Sequence, residues 1–117
     1  MKIMIVDDHA DMRRILRNYI RLTSEKPIQI VDYETGEEAM QEYIAQQPDF
    51  VFMDIELKSI SGFVVSEEIL KISPEAKIII VTSYDTPGFR QKAQRLGICG
   101  FVAKDKLSDI HKFLTFK

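Results

Sequence analysis

Three short runs of apolar residues divide the chain, and polar side chains follow each of them directly. The runs occupy residues 3–6, 50–53 and 78–81. Because the apolar residues are continuous rather than alternating, these runs are typical of strands buried on both faces of a sheet. Weaker patterns predict two more strands, over residues 28–33 and 101–103.

Helical spacing fills the segments between these strands. Across residues 12–22, apolar side chains recur every three or four positions, with arginines on the opposite face. A second helix is expected to begin at Thr35, which forms a capping-box pattern with Glu38. Further helices are predicted over residues 63–72, 87–96 and 107–114. Strand and helix alternate with short connections, which predicts an α/β fold with a parallel sheet and helices on both faces.

Size and charge favour a single domain. The chain has 117 residues, 45% of them hydrophobic and 29% charged, which supports one buried core. Sixteen basic and eighteen acidic residues leave a net charge of −2, without the basic excess that usually accompanies nucleic-acid binding. The single cysteine, Cys99, excludes an internal disulfide and is expected to serve packing. The first apolar run is too short for a signal peptide or membrane span, so we expect a cytoplasmic protein with no membrane contact.

Polar residues of complementary chemistry occupy the carboxyl ends of the predicted strands. Asp7 and Asp8 follow the first strand and Asp54 follows the third. Thr82 ends the fourth, and the fifth runs into Lys104. Ligands of open α/β sheets bind at this edge. If the first and third strands are neighbours, three carboxylates converge and require a cation, for which Mg²⁺ is suited. Lys104 and Thr82 then offer a charge and a donor to an anion.

Each of these residues also has an ordinary explanation on its own. The pair Asp7 and Asp8 could lie in the first turn of a helix, where acidic side chains are favoured. Asp54 could be a loop residue and Lys104 a solvated charge. Their joint occurrence at successive strand ends favours a shared site. His9 is expected to face solvent, because an oxygen-rich Mg²⁺ site does not favour imidazole.

In order and spacing, five segments of the chain resemble the receiver domain of bacterial two-component response regulators, over essentially the whole length. The segments are residues 5–9 (IVDDH), 49–54 (DFVFMD), Gly62, 81–83 (VTS) and 97–104 (GICGFVAK). This resemblance implies a flavodoxin-like, doubly wound, five-stranded parallel sheet of order 2-1-3-4-5 with helices on both faces. Residues 1–117 would form one receiver domain, with no output domain in this chain. The DDH and Lys104-Asp105 sequences look like the subfamily that usually carries a helix-turn-helix DNA-binding domain.

The resemblance also implies the chemistry of the site. Asp54 would be the phosphate acceptor, attacking phosphorus in line. Asp8, Asp54 and the backbone carbonyl of Glu56 would hold Mg²⁺, with Asp7 assisting through water. Lys104 would pair with the phosphoryl group. The domain would catalyse its own phosphorylation and dephosphorylation without being an enzyme that acts on other molecules.

Signalling residues follow from the same resemblance. Thr82 would hydrogen-bond to the attached phosphoryl group, and Phe101 would be the aromatic switch that rotates inward when the Thr82 hydroxyl moves. Glu56 and Tyr84 would affect the rate of dephosphorylation. The expected partner is a sensor histidine kinase or phosphotransfer protein, and a homodimer could form through helix 4, strand 5 and helix 5. Direct contact with nucleic acid is not expected of this domain.

Two departures from the family pattern stand out. Lys58 replaces a proline in the loop after the acceptor, which favours a more mobile loop. Asp105 replaces the proline that usually follows the lysine, which leaves the placement of Lys104 open. The arginines at positions 13, 14, 17 and 21 form either a solvated face of the first helix or a surface that docks the partner.

Other functions remain as alternatives. A receiver fold could act as a protein-binding module without phosphorylation. A Mg²⁺-dependent phosphatase would usually place its nucleophile after the first strand with a second aspartate two residues on, which Asp7-Asp8-His9-Ala10 does not match. A flavodoxin-like electron carrier would need a phosphate-binding loop there, where Asp7 and Asp8 would repel the flavin phosphate.

Overall fold

Five parallel strands form the sheet that the sequence predicts. In this computed structural model, which describes residues 1–114, they are β1 (Lys2–Val6), β2 (Gln29–Tyr33), β3 (Phe50–Met53), β4 (Ile78–Thr82) and β5 (Gly100–Ala103). Their order is β2-β1-β3-β4-β5, which confirms the expected topology. β1 lies beside β3, with Val6 opposite Met53. The residues that follow these two strands therefore leave the sheet side by side.

The helices lie where the apolar spacing predicts them, with one exception. They are α1 (Ala10–Thr23), α2 (Gly36–Gln46), α3 (Gly62–Ile72), α4 (Pro87–Leu96) and α5 (His111–Leu114). The exception is the last one: residues 107–114 were expected to form one helix, but Leu107–Ile110 is a 3₁₀ turn that precedes α5. No side chain caps this turn, and short 3₁₀ segments are common at the start of α-helices.

Hydroxyl side chains define the starts of the middle helices. Thr35, Ser61 and Thr86 each accept a hydrogen bond from a backbone N–H in the first turn of α2, α3 and α4 respectively. The bond from the Glu38 N–H to the Thr35 hydroxyl is the one that the capping-box pattern indicates, and this hydroxyl donates in turn to the Glu38 carboxylate at 3.1 Å. Gly97 ends α4 in the left-handed region, with φ of 89°.

Side chains of alternate strand residues enter two separate cores. On β1, Met4 and Val6 pack with α2, α3 and α4, whereas Ile3 and Ile5 pack with α1 and α5. All five residues of β4 are buried. Burial on both faces explains why the central strands are continuous apolar runs.

Two further expectations from the sequence concern membrane contact and Cys99. Within residues 1–114, no helix has the length and apolar character needed to cross a membrane. Cys99 is exposed in the turn before β5, so the expectation that it serves packing is wrong. Its backbone N–H donates a 2.9 Å hydrogen bond to the Ile78 carbonyl.

Candidate functional site

Three aspartates meet at the carboxyl ends of β1 and β3. Asp54 continues the sheet one step beyond β3, because its N–H donates to the Val6 carbonyl at 3.0 Å. Asp7 and Asp54 are almost completely buried, with 1% and 4% of their surface exposed. Ligand atoms of Asp7, Asp8, His9 and Asp54 all lie within 4.8 Å of one another. The structure thus brings together the carboxylates that the sequence predicts as neighbours.

Lys104 supplies a positive charge to this group. Its Nζ lies 3.0 Å from Asp7 Oδ2 and 3.4 Å from Asp54 Oδ2. The backbone positions it there, since the Lys104 N–H donates to the Thr82 carbonyl at 2.8 Å and extends the pairing of β5 with β4. The lysine therefore reaches the site although Asp105, rather than proline, follows it.

Burial and like charge change the ionisation of the site. Burial, followed by the negative charge of Asp7, raises the pKa of Asp54 to about 6, although Lys104 and the Glu56 N–H oppose the rise. Burial alone would lower the pKa of Lys104, but Asp54 and Asp7 together hold that pKa above its ordinary value. The pocket thus contains more carboxylate than ammonium charge, which favours entry of a cation.

The oxygen atoms of the pocket fit a divalent cation. Asp8 Oδ1 is buried and, within residues 1–114, has no hydrogen-bond partner. The Asp7 Oδ2 atom is buried and faces the Lys104 ammonium. Glu56 lies beside them, because its N–H donates to Asp54 Oδ1 at 3.3 Å. Buried carboxylate oxygens without donors are the ligands that hard cations such as Mg²⁺ take.

Thr82 and Phe101 lie next to this pocket on β4 and β5. Thr82 is fully buried, and its hydroxyl oxygen accepts from the Tyr84 N–H at 3.1 Å. The Phe101 ring is buried, with the Arg90 guanidinium carbon 4.7 Å from its centroid. Arg90 is itself held by both carboxylate oxygens of Asp85. Of the two expected modulators, Tyr84 is half exposed and Glu56 is exposed.

Some contacts of the site could not be predicted from the sequence. The side chain of His9 is 69% exposed, as expected, but its Nδ1 turns back to lie 3.1 Å from Asp8 Oδ1 and 3.3 Å from Asp7 Oδ1. Arg13 donates to the Asp7 backbone carbonyl at 2.7 Å. Arg90 covers the ring of Phe101. The position of His9 directly after Asp7 and Asp8 indicates that the residue lies near the site. The expectation that an oxygen-rich pocket disfavours imidazole nevertheless predicted a ring that faces solvent.

The four arginines of α1 fall into two pairs with different surroundings. Arg13 and Arg17 both pair with the Asp32 carboxylate at the end of β2 and are partly buried. Arg14 and Arg21 are exposed. Only the second pair therefore remains available for the docking surface or solvated face that the sequence suggests.

The loop between Asp54 and α3 is closed at its base. The Gly62 N–H donates to the Ile55 carbonyl at 2.8 Å. A Cβ atom at position 62 would lie 1.9 Å from the Asp54 carbonyl oxygen, so only glycine fits this approach. Ser59 also ties the loop to α2 through a 2.6 Å hydrogen bond to Glu37, while Lys58 between these ties is exposed.

Sheet order, acidic pocket and lysine together define a receiver domain, and the family comparison agrees: residues 3–115 match the response regulator receiver domain. The chain therefore belongs to the response regulator receiver family of two-component systems.

Individual relatives include both single-domain and larger regulators. The chain is 33% identical over 104 residues to the chemotaxis protein CheY of Thermotoga maritima, covering 88% of this chain and 84% of that protein. It is 30% identical over 105 residues to the transcriptional regulatory protein YvfU of Bacillus subtilis, covering 90% of this chain and 52% of YvfU. A crystal structure of the response regulator TrrA of Thermotoga maritima in complex with Mg²⁺–BeF is 32% identical, with a TM-score of 0.80 and 97% of each chain covered.

Proposed function

We propose that this receiver domain accepts a phosphoryl group on Asp54 from a histidine kinase or phosphotransfer protein, and that phosphorylation changes the surface that a partner or output unit recognises. The observation that carries this proposal is the buried Asp54 carboxylate, faced by Lys104 and by two further aspartates, of which Asp8 has an oxygen without a hydrogen-bond partner in the described residues. The site combines a nucleophile, a cation and a place for a divalent metal at one edge of the sheet.

In the proposed reaction a carboxylate oxygen of Asp54 attacks the phosphorus of a phosphohistidine. The new O–P bond forms as the P–N bond breaks, and the electron pair leaves with the imidazole nitrogen, which takes up a proton. Lys104 stabilises charge on the phosphoryl oxygens, because its Nζ already lies 3.4 Å from the attacking carboxylate. The same residues then assist hydrolysis of the acyl phosphate by water.

Mg²⁺ is the proposed cofactor, and it would supply further charge neutralisation at the phosphoryl oxygens. Asp8, Asp54 and the Glu56 backbone carbonyl would hold it, with Asp7 contributing through water. Two facts support this assignment: the buried Asp8 Oδ1 has no donor within residues 1–114, and TrrA has a structure with Mg²⁺–BeF.

The proposed response begins at Thr82. Its hydroxyl now accepts from the Tyr84 N–H, and we propose that it donates to the phosphoryl group after modification. Movement of Thr82 would alter the space beside Phe101, which is the proposed aromatic switch. Glu56 and Tyr84, both on the rim, would control the access of water to the phosphoryl group.

Two surfaces are proposed for partners. On α1, Ile15 and Leu22 are exposed apolar residues, and the exposed Arg14 and Arg21 adjoin them, which suits docking of a kinase or phosphotransfer helix. The face formed by α4, β5 and α5 is the proposed output or homodimer surface. The chain spans about half the length of YvfU, so a DNA-binding output unit under the control of this domain is a proposal about the whole regulator.

Intact mass after incubation with acetyl phosphate, with and without Mg²⁺, tests the proposal. We expect one Mg²⁺-dependent phosphoryl adduct in the wild type, none in Asp54→Ala and an unchanged adduct in Asp49→Ala. Asp49 is the matched control because it precedes β3, at the opposite end of the same strand. An adduct that persists in Asp54→Ala would show that the acceptor is another residue. If no condition gave an adduct, the alternative of a binding module that acts without phosphorylation would replace this proposal.

A further inference from the structure

His9 places an imidazole nitrogen at the edge of the carboxylate pocket. The ring is mostly exposed, but Nδ1 faces inward, 3.1 Å from Asp8 Oδ1 and 3.3 Å from Asp7 Oδ1. The Asp8 side chain is 7% exposed, and its Oδ1 has no hydrogen-bond partner within residues 1–114. Nδ1 shares a hydrogen bond with Asp7 Oδ1, whereas the Asp8 oxygen beside it has no partner in the described part of the chain. A cation at this position would satisfy the Asp8 oxygen and could take the Nδ1 lone pair in place of the bond to Asp7.

The spacing of these atoms matches that of ligands on one ion. Neighbouring ligands of an octahedral ion with bonds of about 2.1–2.2 Å are separated by about 3.0 Å. The 3.1 Å distance between His9 Nδ1 and Asp8 Oδ1 is close to that separation. An ion bound by the Asp8 oxygen can therefore take Nδ1 as an adjacent ligand with little movement of the ring. The exposed side of the ring leaves Nε2 free to carry the imidazole proton towards solvent.

The chemistry of the nitrogen determines which ions gain from it. Mg²⁺ prefers oxygen ligands, whereas imidazole suits Ni²⁺, Zn²⁺ and related ions, whose affinity for such sites rises along the first transition row. We propose that His9 is a direct ligand, through Nδ1, for divalent first-row transition ions in this pocket, and that it makes the site select them over Mg²⁺. This inference rests on the metal role proposed for Asp8 and Asp54.

Because the chain contains only two histidines, the other one provides a matched control. His111 lies in α5 and is exposed. Ni²⁺ and Mg²⁺ affinities of the full chain would be measured by calorimetry for the wild type, His9→Gln, His9→Asn and His111→Gln. We expect both substitutions at His9 to weaken Ni²⁺ binding by roughly tenfold or more, the loss of one nitrogen ligand, while Mg²⁺ affinity changes by less than about twofold. His111→Gln should change neither affinity.

A spectroscopic readout identifies the ligand directly. In the Cu²⁺-loaded protein, electron spin echo envelope modulation should show an imidazole ¹⁴N that is lost in His9→Gln and retained in His111→Gln. Equal weakening of Ni²⁺ and Mg²⁺ by the His9 substitutions would overturn the proposal, since His9 would then only support the shape of the pocket. Unchanged Ni²⁺ affinity, or a nitrogen signal that depends on His111, would also overturn it.

Failure of the underlying metal site gives a different result from failure of the His9 assignment. If the wild type bound neither Mg²⁺ nor Ni²⁺, both the metal role of Asp8 and Asp54 and the inference about His9 would be wrong. Normal Mg²⁺ binding, with a Ni²⁺ preference that is the same in wild type and His9→Gln, would overturn the inference alone. Phosphorylation is not needed for any of these measurements.

Discussion

The raised pKa of Asp54 means that its carboxylate destabilises the folded domain in the absence of metal. The pKa rises from 3.8 to about 6 on folding, chiefly because the group is buried. The folded protein therefore holds the Asp54 proton more tightly than the unfolded chain does. The resulting penalty is fully present above pH 6, decreases as the pH falls through 6, and disappears below 3.8. We expect Asp54→Asn, which removes the charge, to stabilise the domain at neutral pH.

The size of this effect follows from the difference between the two pKa values. Converted at about 1.4 kcal/mol per pH unit, it corresponds to about 3 kcal/mol at about pH 7.5 and about 1.5 kcal/mol at about pH 5. These are upper figures, since the asparagine amide also has to find partners in the same buried position. Only 4% of Asp54 is exposed, so solvent screening reduces the penalty little.

Urea unfolding followed by circular dichroism, in buffer containing a chelator, measures the effect at both pH values. Asp54→Asn should raise the free energy of unfolding at about pH 7.5, and roughly half of that gain should be lost at about pH 5. Asp85→Asn is the control with the opposite sign, because Arg90 lowers the pKa of Asp85 and its charge is favourable. An Asp54→Asn variant no more stable than the wild type at about pH 7.5, or with the same gain at both pH values, would show that burial does not penalise the Asp54 charge.

Three other substitutions test separate parts of the structure. Gly62→Ala should lower the free energy of unfolding by about 3 kcal/mol or more, because its Cβ would overlap the Asp54 carbonyl; a wild-type urea midpoint would contradict the close approach. Lys104→Met should slow phosphorylation by acetyl phosphate by roughly 10–100-fold while calorimetry shows Mg²⁺ bound at least as tightly, since a repelling charge is removed; unchanged phosphorylation would exclude the role of Lys104. Thr35→Ala should cost about 1 kcal/mol in thermal unfolding through loss of the cap bond to the Glu38 N–H, and Thr35→Ser should restore it; equal losses in both would assign the cost to packing.

Much of the fold could be predicted because strands buried on both faces consist of continuous apolar residues. Residues 78–81 of β4 are all apolar since both faces of the strand are covered, and the ends of β3 and β5 are marked by the change from apolar residues to Asp54 and Lys104. The sheet order came from the resemblance of motifs such as residues 97–104 to a known family, because apolar runs alone do not rank strands in space.

The contacts that could not be predicted depend on side-chain rotation between distant elements. Whether His9 Nδ1 faces solvent or Asp8 is decided by torsion angles within one residue, which no spacing pattern encodes. Arg90 of α4 lies over the Phe101 ring of β5, and its guanidinium also donates to the Asp85 carboxylate. The apolar spacing of residues 107–114 fits a helix, but it does not distinguish a 3₁₀ turn from an α-helix over the first four of these residues.

Because the loop after Asp54 is closed at its base, its outer residues can change without moving the reacting carboxylate. The chain leaves β3 at Asp54 and returns at Gly62 to touch the same residue, so the path between them is a side branch whose ends stay fixed. Changes at its outer residues, such as Lys58, need not move the acceptor. A family of proteins with this architecture can therefore alter the charge and shape presented to a partner at the entrance of the pocket while the reacting carboxylate keeps its position.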